Sequence, residues 1–244
     1  MLFSLNYGEV SSLALDPVEK KPLQRFCSGQ TVLSVGSWGC NLTCAFCQNY
    51  SIAQLRPPVE TMTPAALADM AKRLVKEKNI GVAYTYAEPL VWYEFVLETA
   101  RLVREAKLKN VLVSNGYIEA EPLAELSPLI DAANIDLKGF DDSFYQTVCG
   151  APGVEPVKRT IAVLHEAGCH VEVTTLIVPG KNDTDGHMER LADWLSSVDK
   201  SIPLHISRYF PHYRMTEPAT RPEVVRRLAA IAGARLAFVY TGNL

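Results

Sequence analysis

The sequence predicts an α/β fold, a partial (β/α)6 TIM-like barrel with an N-terminal β-hairpin extension. Three observations lead there. Short apolar runs of strand length alternate with longer amphipathic stretches, helix punctuation falls where the pattern changes, and no repeat or Ser/Gly linker divides the 244 residues. Such alternation implies a parallel sheet covered by helices, with ligands at the carboxyl ends of the strands. A closed eight-fold barrel takes about 250 residues. Residues 1–30 read as a separate hairpin and loop, so 31–244 hold only six or seven units and the barrel stays open.

The expected strands are Thr31–Gly36, Gly81–Tyr86, Val111–Ser114, Ala133–Leu137, His170–Val178, Pro203–Ser207 and Leu236–Tyr240, several of them rich in Val and Ile. Between them, helical patterns cover Pro64–Lys78, Leu90–Lys107, Glu121–Leu129, Val157–Ala167, Gly186–Ser197 and Pro222–Ala232. Thr63 before Pro64 is an N-cap followed by proline at the first helical position, and Thr220-Arg221-Pro222 offers a similar start. Gly168 suits a helix C-terminus.

Composition narrows the function. At 48% hydrophobic and 21% charged, the chain can bury a sizeable core. A formal charge of −3, with basic residues spread along the sequence, gives no grip on nucleic acid or an acidic membrane. No apolar run approaches the roughly 18–20 residues of a membrane span, and the opening MLFSLNYGEV lacks the pattern of a secretory signal. A cytoplasmic protein is the expectation.

Of the six cysteines, three stand in one short segment, Gly39-Cys40-Asn41-Leu42-Thr43-Cys44-Ala45-Phe46-Cys47-Gln48-Asn49. Closely spaced thiolates on one loop are the ligands of iron–sulfur clusters, whereas a structural zinc needs four protein ligands and no second cysteine pair is apparent. Three cysteines on a four-iron cubane leave one iron open to a substrate or cofactor. The plainer reading, three small buried hydrophobes, fits poorly with the flanking Gly, Asn and Gln of an exposed loop.

The spacing C-x3-C-x2-C with Phe46 before the last cysteine, placed after the first barrel strand, resembles the radical S-adenosylmethionine (radical SAM) superfamily. Gly39-Cys40-Asn41-Leu42 and Phe46-Cys47-Gln48-Asn49 are similar to the group of pyruvate formate-lyase-activating enzymes. Leu15–Leu23, Tyr84–Pro89, Ser114–Tyr117, Asp136–Lys138 and Pro203–Arg208 further resemble the radical SAM proteins of the AmmeMemoRadiSam system, although the extra Cys-rich N-terminal segment of longer members is missing. The resemblance implies a partial barrel of the radical SAM type. It also implies a [4Fe-4S] cluster on Cys40, Cys44 and Cys47, and S-adenosylmethionine (SAM) on the open iron. One electron would cleave SAM to a 5′-deoxyadenosyl radical that abstracts hydrogen from the substrate.

The same resemblance nominates further residues. Phe46 lies beside the cofactor. Glu88 stands where relatives bind the methionine ammonium, although both glycines usual before it are replaced. Ser114 and Asn115 would meet the ribose or carboxylate of SAM. Asp136 and Lys138 point the same way from the fourth strand end, as the acid and base nearest the reacting groups. The second acid of the relatives' cation site is replaced by Val113, and Thr174 stands near their carboxylate-clamping Arg. His212 is the adenine-side candidate, with His205 behind it, and Cys149 a candidate hydrogen donor with a buried structural thiol as the alternative.

The expected activity is that of a glycyl-radical-enzyme activase, with reduced flavodoxin or ferredoxin as electron donor, a glycyl radical enzyme or other protein as substrate, and neither membrane nor nucleic acid as partner. Modification of a small molecule, peptide or RNA within the AmmeMemoRadiSam system is the alternative. A non-catalytic metal-binding scaffold is a third reading.

Overall fold

The computed structural model describes residues 4–244; the first three residues of the expected extension lie outside the described residues. The chain opens with β1 (Glu9–Val10) and β2 (Ser12–Pro17), then β3 (Thr31–Gly36), a short α1 (Tyr50–Ala53) and β4 (Glu60–Thr61). Regular alternation follows: α2 (Pro64–Arg73), β5 (Asn79–Tyr84), α3 (Tyr93–Glu105), β6 (Lys109–Ser114), α4 (Ala120–Leu126), β7 (Ala132–Asp136). Beyond a one-turn α5 (Asp142–Phe144) come α6 (Glu155–Glu166), β8 (His170–Ile177), α7 (Asp185–Asp199), β9 (Leu204–Arg208), α8 (Pro222–Gly233) and β10 (Val239–Gly242). Strands β3 and β5 to β10 form consecutive parallel pairs in one sheet, with β2 antiparallel at the edge beside β3. The sheet ends at β2 and β10 without closing, which makes it a partial TIM-like barrel.

Local chemistry explains the helix starts and stops. Thr63 accepts the Ala66 N–H at 3.2 Å, as an N-cap with proline behind it should. Gly168 takes φ +81° just past α6, the left-handed turn that glycine adopts freely. Before α8, however, Arg221 is the cap and makes no side-chain cap bond. Thr220 instead donates its hydroxyl to the Ile177 carbonyl at 2.5 Å, tying the β9–α8 loop to β8.

The N-terminal segment is built into the barrel. β1 pairs with β4 rather than with β2, and β2 pairs with β3 from Ser12↔Gly36 to Pro17↔Thr31, so the hairpin crosses residue 30. Between β2 and β3 the chain turns inward. Val18 and Leu23, both fully buried, pack with Val32, Ala83, Val111 and Ala132 in a core of their own. Alternation along the strands puts the neighbours Leu33, Val82, Leu112 and Ala133 in the larger core beneath the helices. Residues 18–26 therefore act as a plug inside the sheet's curve.

A buried carboxylate holds that plug. Glu172 on β8 accepts the backbone N–H groups of Gln24 (3.1 Å) and Arg25 (2.8 Å), and meets His170 Nε2 at 2.9 Å and His205 Nε2 at 2.5 Å. Burial opposes its charge, but the bonds from His170, His205, Arg25 and Gln24 prevail and hold it down from 4.5 to about 2. A depressed folded-state pKa stabilises the fold above the unfolded value and is lost as pH falls through the folded one. Acid titration of the folded chain should therefore cost about 3 kcal/mol between pH 4.5 and 2 at this residue alone. Glu172→Gln should remove that loss, read as urea midpoints across the pH range; an unchanged acid limb would refute the assignment.

Candidate active site

At the carboxyl ends of the parallel strands lies a cavity of about 400 Å³. Its wall contains Cys40, Cys44, Phe46 and Cys47 from the β3–α1 loop, and Glu88 from the loop after β5. Ser114 and Asn115 come from the end of β6, Asp136 and Lys138 from the end of β7, and Thr174 from β8. Ten of the thirteen residues nominated from sequence thus meet in one place. His212, His205 and Cys149 are the exceptions: His212 Nε2 meets the Gln48 carbonyl at 3.2 Å and its ring lies 5.7 Å from Tyr50. His212 sits in a tight turn paired with Met215 and is not part of the cavity wall, although its partner Gln48 is. His205 is also elsewhere, on Glu172 beneath the plug.

The cysteine loop is held from every side. The N–H groups of Thr43 and Ala45 donate to the carbonyls of Cys149 and Val148 at 2.9 Å, and Arg214 N–H donates to Ala45 O at 3.0 Å. Gln54 Nε2 reaches Leu42 O at 2.9 Å, and Asn49 Nδ2 reaches Tyr86 O at 2.6 Å. Gly150, at φ +72°, leaves space for Thr43: a Cβ there would stand 2.1 Å from Thr43 Oγ1. The brace behind the loop is a π-helical turn, Tyr145–Cys149, which sequence periodicity did not reveal because one widened turn leaves no repeat to detect.

The three thiols suit an iron–sulfur cluster. Cys40 Sγ accepts the Leu42 N–H at 3.3 Å and faces Asn115 Nδ2 at 3.6 Å, donors that favour a thiolate. Without a metal's charge, burial pushes the Cys40 thiol up to about 12 and raises Cys47 as well. A hydrogen bond with the Cys149 thiol, together with the Lys138 ammonium, draws Cys44 below the usual range against burial. Among the described residues no three His, Cys, Asp or Glu side chains are placed to share one metal ion. A cubane asks something different, one thiolate for each of three irons.

Glu88 is the hub of the opposite wall. Its Oε1 accepts Leu90 N–H at 3.0 Å and Ser114 Oγ at 2.7 Å, and its Oε2 accepts Asn115 N–H at 2.8 Å. It thereby caps the short helical turn Pro89–Trp92 while fixing the two β6-end residues. A carboxylate takes about four such bonds, so one acceptor position is left. Burial raises its pKa from 4.5 to about 7 despite these donors. Asn115 links the walls, with Nδ2 on Asn41 Oδ1 at 2.8 Å and Oδ1 accepting Tyr117 N–H at 2.8 Å.

Lys138 Nζ pairs with Asp136 Oδ2 at 2.9 Å and lies 6.0 Å from the centre of the Phe46 ring. Burial opposes its charge, but Asp136 together with the Cys44 and Cys149 sulfurs outweighs it and keeps the ammonium charged. Thr174 donates its hydroxyl to Asn134 Oδ1 at 2.9 Å, so only its lone pairs face the cavity. It can accept from a hydroxyl but cannot clamp a carboxylate. Cys149 is fully buried behind the loop. Lys20, Lys21 and Tyr86 also line the cavity and were not nominated from sequence. All three stand in blocks that carry the family resemblance, Leu15–Leu23 and Tyr84–Pro89, which could have pointed to them.

Comparison with known proteins bears on this site. The Radical SAM superfamily pattern matches residues 36–195. The chain is 41% identical over its full length, and over 73% of the other's length, to the uncharacterized protein MJ0808 of Methanocaldococcus jannaschii. It is 22% identical to the pyruvate formate-lyase-activating enzyme of Clostridium pasteurianum, across 66% of this chain and 67% of that one. In fold it resembles Streptococcus suis SuiB bound to S-adenosylmethionine, with a TM-score of 0.67, 13% identity, and coverage of 87% of this chain and 52% of SuiB. No helix among the described residues is long and apolar enough to cross a membrane.

Proposed function

From the premise that this chain belongs to the Radical SAM superfamily, we infer that it is an activase-type enzyme that takes a hydrogen atom from a glycine of a partner protein. The observation supporting this is the convergence of three thiols and the Glu88, Asp136 and Lys138 groups on one cavity at the strand ends. The similarity to a pyruvate formate-lyase-activating enzyme supports the choice of target.

Cys40, Cys44 and Cys47 would hold a [4Fe-4S] cluster. When bound, the cluster and SAM supply one-electron chemistry strong enough to abstract hydrogen from an unactivated C–H bond. The remaining roles belong to the chain. Glu88 offers its free acceptor position to the SAM ammonium, a charge-assisted contact that orients as well as binds. Lys138, kept charged by Asp136, faces the carboxylate, and Asp136 prevents the ammonium from being neutralised on burial. Ser114 and Asn115, whose own side-chain hydrogens are donated to Glu88, Asn41 and Cys40, keep one oxygen lone pair each to accept from a ribose hydroxyl, and Thr174 can accept likewise. Phe46 covers the apolar side. An external donor of the flavodoxin or ferredoxin kind would deliver the electron.

Oxygen-free reconstitution should give about four irons per chain and 5′-deoxyadenosine on reduction. One zinc per chain without SAM cleavage would instead favour a metal-binding scaffold. With candidate partner proteins, electron spin resonance should reveal a glycyl radical. Deoxyadenosine carrying label from a small metabolite, with no glycyl signal from any partner, would defeat the activase reading.

A further inference from the structure

The residues given to cluster and SAM leave a charged corner of the cavity wall without a role. Lys20 and Lys21 project into it from the plug, with Tyr86 alongside. Asp16, at the end of β2, ties the three together. Its Oδ2 accepts Lys21 Nζ and Tyr86 Oη, each at 2.8 Å, and its Oδ1 accepts Lys20 Nζ at 3.2 Å. The Lys21 side chain is 4% exposed and that of Lys20 67%, so Lys21 is fixed in the cavity wall and Lys20 can move. Lys21 Nζ also sits 4.7 Å from the centre of the Tyr86 ring.

The backbone of Tyr86 marks this corner as built for a purpose. It takes φ +72°, a left-handed conformation that a bulky residue rarely adopts and that costs about 1–3 kcal/mol. That twist sends the Tyr86 carbonyl to Asn49 in the cysteine loop and its ring to the Asp16–Lys21 pair. One strained residue thus couples the cofactor wall to the lysine wall. A fastener for the plug would not need two lysines, since Lys21 alone neutralises Asp16.

Two ammonium groups against one carboxylate leave a net charge of one positive unit. We propose that Lys20 and Lys21, set by Asp16 and Tyr86, receive a carboxylate of the substrate and so hold the carbon that loses hydrogen next to the cofactor face. The single excess charge matches a monoanion; a phosphate dianion would leave a negative charge uncompensated in the wall. The carboxylate has two sources, an acidic side chain beside the target glycine of a partner protein or a free carboxylic acid. The proposal rests on the reading of the opposite wall as the SAM site.

The test is ligand-observed NMR on the full chain, cluster reconstituted and oxidised so that no turnover occurs. The probes are N-acetylglycine, its neutral amide, and N-acetyl-aspartyl-glycinamide. At least one carboxylate probe should bind about tenfold or more tightly than the amide, the difference expected of one charge-assisted bond. Tighter binding of the aspartyl peptide assigns the carboxylate to a protein segment; tighter binding of N-acetylglycine assigns it to a small acid. Lys20→Met, at a largely exposed position that leaves the Asp16–Lys21 pair intact, should erase the preference while the amide is unaffected. Asp16→Asn adds a positive unit and should shift preference towards glycerol phosphate, which a purely structural Asp16 would not do.

Equal binding of acid and amide, or an unchanged preference in Lys20→Met, overturns the proposal. SAM cleavage plays no part in this measurement. A parent protein that cleaves SAM but shows no carboxylate selectivity counts against the lysine wall alone, and a parent that is selective but cleaves no SAM counts against the SAM reading.

Discussion

Cys44→Ala is expected to emerge from oxygen-free reconstitution colourless, with iron below one atom per chain and SAM cleavage at background. Cys44 is the most buried of the three loop thiols, 6% exposed, and lies on the cavity wall with Cys40 and Cys47. A cubane gripped by three ligands has no fourth protein ligand on this loop to fall back on, so one deletion removes a third of its anchorage. Cys40→Ala and Cys47→Ala should behave alike. The discriminating control is Cys149→Ala. Cys149 braces the loop through its backbone carbonyl, which an alanine keeps, and its thiol, buried behind the loop, hydrogen-bonds Cys44. Iron content and SAM cleavage should therefore stay near the parent values. If Cys149→Ala bleached the protein as fully as Cys44→Ala, the ligand set would be misassigned.

What the sequence made visible follows from how far apart the cooperating residues stand along the chain. Cys40, Cys44 and Cys47 share one loop, and Asp136 and Lys138 one strand end, so spacing alone brings each set together. Glu88, Ser114 and Asn115 needed only the rule that strand ends converge; their mutual hydrogen bonds could not be foreseen, because they depend on the register of β5 against β6. The plug was invisible for a harder reason. Its polar anchor joins residues nearly 150 positions apart, Gln24 and Arg25 to Glu172, and neither partner carries a local signal of burial. Reading residues 1–30 as a separate segment therefore hid Lys20 and Lys21 from the site. His212 is a different case: it follows Phe210-Pro211 in a turn paired with Met215, touches the cavity residue Gln48 and is not itself in the wall, an arrangement set by a contact 164 positions away.

Glu88→Gln should separate SAM binding from cluster binding. In the folded chain, burial lifts the Glu88 pKa from 4.5 to about 7. A raised folded-state value means that its contribution to stability is fully present below 4.5 and lost as pH rises through 7. Affinity for SAM runs the opposite way. The ammonium needs the ionised carboxylate, so below about pH 7 a proton must leave as the ligand binds. The dissociation constant should rise towards tenfold for each pH unit of acidification, levelling above 7.

Glutamine abolishes that dependence. It also turns an amide nitrogen towards the donors Ser114, Asn115 and Leu90, leaving at least one unpaired at about 1–3 kcal/mol. The variant should be less stable by about that amount, retain its iron, and bind SAM about ten- to a hundredfold more weakly, the loss expected for one bond to a charged group. Calorimetric titration of both proteins from about pH 6 to 8 checks this. A parent affinity flat across that range would mean that Glu88 holds Ser114 and Asn115 in place without touching the ammonium, and the orienting role would pass to Ser114 and Asn115 themselves.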